Sequence, residues 1–327
     1  MKDRVLITGA SGFVGYHLIV EALKNNLEVF AAIRRSSKIE HLKNFDINYT
    51  YPDFDNPAAL QAEIEEKHYA YIIHAAGSLR ALTTAEYEHV NATYTFNLAT
   101  AAAAAGCVKK MVFISSLAAV GPRSGYDGII TESTAPAPIT AYGKSKLLAE
   151  AKLLSVKNLD YTILRPTAVY GPRDKDIFIF LKQVAKGIEP YIGRIDQKLT
   201  FIYVTDLAKA AVLALTKGKK KAYILADGHY YDRYKLADIT KVIFDKKTFK
   251  FHIPVIIVKT IAIIAEKVSY LSKKAPVINP EKLDELKAVN WSCDISPANA
   301  DLDFTPLYNL EDGLTESFDW YRKNNWL

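Results

Sequence analysis

The segment Thr8-Gly9-Ala10-Ser11-Gly12-Phe13-Val14-Gly15 constrains this chain more than any other. A short apolar run, Arg4 to Thr8, leads into it, and apolar residues at helical spacing follow (Val14, Leu18, Ile19, Ala22, Leu23). A strand that turns through glycines into a helix is the setting a dinucleotide-binding loop requires. Glycine at 9 permits the tight turn. Glycine at 12 lets the backbone approach a pyrophosphate at the helix N-terminus, where free N–H groups and the helix dipole favour anions. Glycine at 15 permits close helix–sheet packing. The spacing is GxxGxxG rather than GxGxxG, so the flanking strand and helix give the motif its weight.

The alternation continues through the N-terminal half. Strands are predicted at Leu27 to Ile33, Ala70 to His74, Lys110 to Ile114 and Tyr161 to Leu164. Helices are predicted at Asn56 to Lys67, Thr83 to Ala105 and Ala141 to Val156. Short apolar strands alternating with helices imply a parallel sheet covered on both faces, an α/β fold. Such sheets bind ligands at the carboxyl ends of their strands, near the point where strand order reverses. After Gly171 the rhythm loosens. Helices are predicted at Phe178 to Gly187, Thr205 to Thr216, Tyr234 to Phe244, Pro254 to Leu271 and Leu310 to Lys323, and prolines 276, 280, 297 and 306 break the tail. This portion is expected to form a smaller lid. A length of 327 residues fits one large domain or two interleaved ones.

Composition removes several alternatives. Two cysteines, Cys107 and Cys293, exclude a disulfide scaffold and a cysteine-rich zinc module, and no metal site is expected. Free thiols fit a reducing, cytoplasmic setting. The net charge is +6, but its 42 basic and 36 acidic residues are interspersed, so no nucleic-acid partner is expected. The dense run Lys217 to Lys221 reads as a solvated turn. The start lacks a secretory h-region, and no stretch suits a membrane span. The apolar stretch Val255 to Ala265, interrupted by Lys259, predicts a buried helix packed in a core, with a lipophilic pocket wall or a membrane-surface contact as the alternative.

Several residues are candidates for chemistry. The second strand ends Ile33-Arg34-Arg35-Ser36-Ser37, where a carboxylate would accept from a ribose 2′-hydroxyl. None is present, and Arg34 could hold a 2′-phosphate, which favours NADP over NAD. Asp53 and Phe54 suit either an adenine contact or a plain turn. Ala75, Ala76 and Gly77 end the fourth strand with small side chains that let the backbone run beside a flat cofactor. His74 reads as a satisfied buried histidine. Tyr142 and Lys146, at i and i+4, share a helix face. An isolated pair of this kind is usually a surface contact. With the glycine loop and the serines at 115 and 116, it reads as an acid/base site. An ammonium roughly 4 Å from a phenol is worth about 4 kcal/mol at an effective dielectric near 20. That is about three pKa units, enough to bring the phenol toward 7.

These residues resemble the extended branch of the short-chain dehydrogenase/reductase superfamily. TGASGFVG, HAAG, HVNATYTFNL, FISS, YGKSK, LRPTAVYGP and FIYVTDLAKA occur in that family's order, and the likeness covers nearly the whole chain. It implies a Rossmann-type doubly wound sheet of seven parallel strands with a smaller C-terminal substrate domain. The division would be 1–170 with a return near 201–226 for NAD(P), and 171–200 with 227–327 for substrate. It implies Tyr142 as general acid/base, Lys146 as its partner on the nicotinamide ribose, Ser116 as the serine that orients substrate, and Asn91 in a proton relay. Gly9, Ser11, Gly12, Phe13, Val14, Ser115, Pro166, Thr167 and Val169 would line the cofactor. Family members are often homodimers joined through the two long helices at Thr83–Ala105 and Ala141–Val156.

Many such enzymes are nucleotide-sugar epimerases or dehydratases, which carry an arginine for the substrate pyrophosphate on the strand before IYVTDLA. Leu199 occupies that position here. Lys198 beside it should point to the other face, and Arg194 could substitute from the loop. Leu117 and Ala118 replace the acidic residues of dehydratases. The pattern is more similar to the hydroxysteroid dehydrogenase and dihydroflavonol reductase branch. The small-molecule substrate expected is therefore an apolar oxo or hydroxy compound, with a nucleotide-sugar epimerase or dehydratase as the alternative.

Overall fold

The computed structural model describes residues 2–272, 275–276 and 278–327. Its strands, in chain order, are β1 (Arg4–Thr8), β2 (Glu28–Ala32), β3 (Asn48–Thr50), β4 (Tyr71–His74), β5 (Lys110–Ile114), β6 (Tyr161–Pro166), β7 (Ala168–Tyr170), β8 (Ile188–Ile192), β9 (Phe201–Tyr203), β10 (Ala222–Leu225) and β11 (Phe249–Ile253). Seven of them form one parallel sheet in the order β10-β6-β5-β4-β1-β2-β3. Within β1, Val5 and Ile7 enter one core and Leu6 the other. Successive side chains face opposite sides, and both sides are covered, so the strand reads as a continuous apolar run.

Helices α1 (Phe13–Lys24), α2 (Pro57–Lys67), α3 (Thr84–Glu88), α4 (Tyr94–Ala105), α5 (Ala141–Ser155), α6 (Asp176–Ala185) and α7 (Val204–Leu213) come next in the description. α1 packs with α7 on one face of the sheet, and α4 packs with α2 and α5 on the other. Polar caps set their starts. Asn56 Oδ1 accepts from Ala59 N ahead of Pro57 at the first turn of α2, and Thr140 Oγ1 accepts from Gly143 N to open α5. Gly106 ends α4 in the left-handed region at φ +66°. The helix predicted from Thr83 to Ala105 is continuous, but a π-helical turn at His89–Thr93 joins α3 to α4. Such turns insert one residue into the helical register.

The second half adds α8 (Lys235–Phe244), α9 (Val255–Ser272), α10 (Pro280–Lys287), α11 (Ser296–Leu302) and α12 (Leu310–Lys323). A third core joins Tyr170, Phe201 and Tyr203 to residues of α6, α8 and α12. β8 pairs in parallel with β11 in a separate two-stranded sheet, which the loosened sequence rhythm did not reveal. Ala298, Leu302 and Phe304 pack in the core under α1 and α7, not in the third core.

Two expectations are corrected here. α9 is not a buried core helix: Val258 and Ala262 are buried, but Ile256, Ile257, Ile261 and Ile264 are exposed. The turn from Lys217 to Lys221 is not simply solvated, because Lys217 pairs with Asp303 while Lys219 and Lys221 pair with Asp301. Its charge is answered locally, and the same two carboxylates tie the turn to α11. Among the described residues no helix is long and apolar enough to cross a membrane, and no cluster of side chains suits a metal ion.

Candidate active site

Strand order reverses between β1 and β4, whose ends place Thr8 beside His74. Gly9 leaves β1 at φ +68°, where a Cβ would lie 2.7 Å from the Ala75 carbonyl oxygen; a Cβ on Gly15 would lie 2.1 Å from the Gly9 carbonyl oxygen. Side chains are excluded at both points, so the loop, α1 and the Ala75–Gly77 segment close on one another through backbone. Gly12 gives α1 no side-chain cap, and the first turn has no carboxylate. Its N–H groups therefore remain open to an anion.

His74 bolts this crevice together. Ala76 N donates to Thr8 Oγ1 at 3.0 Å, and Thr8 Oγ1 lies 2.7 Å from His74 Nδ1. On the other edge, His74 Nε2 lies 3.0 Å from Thr95 Oγ1, which donates to Asn91 O at 2.6 Å. Because Thr95 spends its proton on Asn91, Nε2 must donate and Nδ1 must accept from Thr8. That tautomer is neutral, and burial lowers the His74 pKa to about 3, with the Lys146 charge adding to the effect. The buried, satisfied histidine read from the sequence is what the structure holds.

Arg34 and Arg35 are exposed at the end of β2, next to a turn in which Arg34 N donates to Ser37 Oγ at 3.1 Å. The Arg35 guanidinium lies 4.9 Å from the Tyr51 ring. Asp53 Oδ1 accepts from Asp55 N at 3.1 Å, an Asx turn, and Phe54 stacks on Tyr94. Asp53 therefore has a local role of its own. Arg173 was not found from the sequence. Its guanidinium lies 4.0 Å over Tyr16 of α1, and its buried Nε has no hydrogen-bond partner. Burial lowers the pKa of His41, and the Arg173 charge lowers it further. Only tertiary contact brings this arginine near the glycine loop, so no local motif could mark it.

The catalytic candidates meet at the ends of β5 and α5. The hydroxyl of Ser116 faces the Tyr142 phenol and also accepts from Ala118 N at 3.1 Å. Ser115 turns away and donates to Glu150 Oε1 at 2.5 Å, and Glu150 is paired with Arg165. Lys146 is buried, donates to Ile114 O at 2.9 Å and lies 4.8 Å over the Phe113 ring. Burial lowers its pKa to about 8, against the opposing pull of Glu150. The expected fall of the Tyr142 phenol toward neutrality is not found. Burial pushes it up, the Ser116 hydrogen bond opposes, and Glu285 pushes it further up. The desolvation cost exceeds any help from Lys146, whose ammonium is engaged at Ile114 O.

Asn91 lies in the π-helical turn, which points its amide inward. Oδ1 accepts from Ser78 N at 2.7 Å, while Nδ2 donates to Ser78 O and Ser145 Oγ. It holds the Gly77–Ser78 backbone beside Lys146, since a Cβ on Gly77 would meet Asn91 Oδ1 at 3.0 Å and Lys146 Nζ at 3.3 Å. Pro166 ends β6, Val169 lies in β7, and between them the Thr167 hydroxyl is buried without a partner. An orphaned hydroxyl, a backbone cradle with no room for side chains and an uncapped helix N-terminus all fit a dinucleotide laid across the crevice.

α10 roofs the site. Glu281 Oε2 accepts from Ala141 N, the first residue of α5, at 2.6 Å, and Tyr87 meets Tyr142 edge to face at 6.4 Å. Leu199 packs against the third core. Lys198 Nζ lies 4.3 Å from the Tyr126 ring and 5.2 Å from the Tyr230 ring. Arg194 is exposed in a cleft with Lys250 and His252.

The family model described as the NAD dependent epimerase/dehydratase family matches residues 5–226. The UDP-glucose 4-epimerase of Vibrio cholerae is 29% identical over 78% of this chain and 80% of its own length. The decarboxylating sterol-4-alpha-carboxylate 3-dehydrogenase of Candida albicans is 28% identical over 98% of each chain. The solved UDP-glucose 4-epimerase of Thermotoga maritima superposes with a TM-score of 0.81 at 21% identity, covering 98% of this chain and 99% of that one.

Proposed function

The chain belongs to the NAD dependent epimerase/dehydratase family, within the extended short-chain dehydrogenases/reductases, and on that premise we propose that it is an NADP-dependent carbonyl reductase or alcohol dehydrogenase for a mostly apolar oxo or hydroxy compound. The observation that carries the substrate class is Leu199. An aliphatic side chain packed into the third core stands where the sugar-nucleotide enzymes place a cation for the pyrophosphate. The neighbouring Lys198 is held between two tyrosines.

A bound nicotinamide supplies or accepts the hydride. Tyr142 gives the proton to the substrate oxygen in reduction and takes it in oxidation. Ser116, facing the same phenol, holds that oxygen. Lys146 donates to the nicotinamide ribose and lends its positive charge to the phenol. Gly9, Ser11, Gly12, Phe13 and Val14 would receive the pyrophosphate, Ala75 to Gly77 would back the cofactor, and Pro166, Thr167 and Val169 would meet its nicotinamide end, whereas the Ser115 side chain, turned to Glu150, is not free to contact it. Asn91 positions Ser78 and Ser145 in support of the relay. Arg34 takes the 2′-phosphate, which the lack of a carboxylate at the end of β2 favours. Asp53 and Phe54 flank the adenine.

Residues 1–170 with 201–226 act as the cofactor half, and 171–200 with 227–327 as the substrate half. β10 joining the main sheet supports the return, and α10 reaching α5 supports the lid. A homodimer through α4 and α5 fits the exposed Leu154 and the shallow surface formed by Phe96, Ala103 and Val156. The unpaired Cys107 and Cys293 suit the cytoplasm.

The competing reading is a nucleotide-sugar epimerase, which the Vibrio cholerae relative favours. Net cofactor turnover separates the two. Purified protein should oxidise added NADPH in the presence of lipophilic ketones. Isomerisation of a nucleotide sugar without net NADPH use would overturn the proposal.

A further inference from the structure

α9 faces the wrong way for a helix of a globular core. Val258, Ala262 and Ser269 form its buried stripe. Two stripes point outward: Ile257, Ile261, Ile264 and Val268 at spacings of four, three and four, and Ile256, Thr260, Ile263 and Lys267 beside them. The aliphatic members of these stripes are 38 to 68% exposed. Exposed apolar residues scattered singly need no explanation, but a contiguous helical face of them does.

The surroundings say what covers it. A cleft at the N-terminus of α9 is lined by Arg194, Lys250 and His252. Desolvation lowers the His252 pKa, and the charges of Arg194, Arg233 and Lys250 lower it further against the opposing pull of Glu189. The buried carboxylate of Glu189 lies 4.0 Å from Lys250 but is also engaged by Thr248, Tyr191 and Lys241. Lys246 and Lys247 are exposed on the approach to β11, and Phe249 is exposed on that strand. Lys259 and Lys267 are exposed on the helix itself. The exposed carboxylates of the neighbouring segments are Asp196, Asp232, Asp238 and Asp245, of which Asp238 pairs with Lys241, and Glu266 lies half-buried on α9; exposed cations at Arg194, Lys246, Lys247, Lys250, Lys259 and Lys267 still outnumber them.

A largely apolar helical face with Lys259 at its edge and Lys267 near its C-terminal end, and with a cationic cleft at its root, has the chemistry of an element lying in a membrane interface. Its aliphatic side chains enter the acyl boundary while the lysine stems reach back to the phosphates. A second copy of the chain fits less well, since pairing two such faces brings like charges together. We propose that α9 and its cleft dock this protein peripherally on an anionic lipid bilayer. The docking does not depend on the proposed reaction, because the exposed residues of α9 lie outside the catalytic set; Arg194 alone also has a place in the nucleotide-sugar alternative.

The test is flotation of the full-length protein with vesicles of phosphatidylcholine alone or with added phosphatidylglycerol. Wild type should float with the anionic vesicles, less so in high salt. Ile257→Glu combined with Ile264→Glu should lower partition at least about tenfold. Ile257→Ser with Ile264→Ser, a milder pair, should lower it in the same direction. Arg194→Ala with Lys250→Ala should weaken binding to anionic vesicles only. Cofactor binding should be unchanged in all variants. Failure of wild type to float with phosphatidylglycerol vesicles would overturn the proposal. So would a wild-type oligomer that the Ile257 and Ile264 variants dissociate, since the face would then be a protein contact.

Discussion

Ser115 donates to Glu150 at 2.5 Å while its neighbour Ser116 faces Tyr142, so two adjacent serines serve different ends. Ser115 belongs to a buried ion pair, and we propose that Ser116 holds the reacting oxygen. Ser116→Ala should lower kcat by about 10²-fold, the scale of a lost oxyanion donor, with little change in Tm. Ser115→Ala leaves Glu150 short of one hydrogen bond and should cost about 1–3 kcal/mol of stability. Steady-state rates and thermal melts on both variants check the assignment; the reverse pattern would exchange the two roles.

The proposed preference for NADP rests on Arg34. Wild type should bind NADPH more tightly than NADH, and Arg34→Ala should abolish the difference by removing a charge-assisted contact to the 2′-phosphate. Titration of cofactor fluorescence gives both affinities. Equal affinity of the wild type for the two cofactors would refute the assignment.

How far these roles were legible depends on distance along the chain. Tyr142 and Lys146 share a helical face, and the glycine loop joins a strand to a helix, so local periodicity exposed them. A parallel sheet followed from the apolar runs, and its seven strands from family likeness alone. Arg173 and Glu281 were invisible because each meets the site from more than a hundred residues away. The outward face of α9 was misread for another reason. Apolar composition says a side chain avoids water, but not whether protein or something else covers it.

The pH dependence of reduction follows from Lys146. Burial depresses its pKa to about 8, so the ammonium is present below that value and is lost as pH rises through it. The rate of ketone reduction should hold steady through neutral pH and fall above about 8. Lys146→Arg, whose guanidinium does not titrate in this range, should lower the rate but remove that descent. A pH profile of kcat/KM for both proteins checks this.

Acid should destabilise the fold in a defined window. His17, whose ring donates to Pro172 O at 2.9 Å, is lowered by burial to about 4, and His74 to about 3. Both stay neutral in the fold, while the unfolded chain takes up protons below about 6.5. Stability is therefore lost as pH falls from about 6.5 toward those values. Asp174, raised by burial to about 6, works in the opposite sense between about 6 and 3.8. His17→Gln keeps a donor for Pro172 without the titration. It should shrink the stability difference between pH 7 and 5 by roughly 2 kcal/mol at most. Urea denaturation at the two pH values measures it.

The central claim is that Tyr142 transfers the proton. It is tested most directly by a single-turnover measurement of NADPH oxidation in the presence of a reducible lipophilic ketone, comparing wild type with Tyr142→Phe. The variant should bind NADPH as wild type does and lose at least about 10²-fold in rate. A near-normal rate in Tyr142→Phe, with cofactor binding intact, would contradict the account.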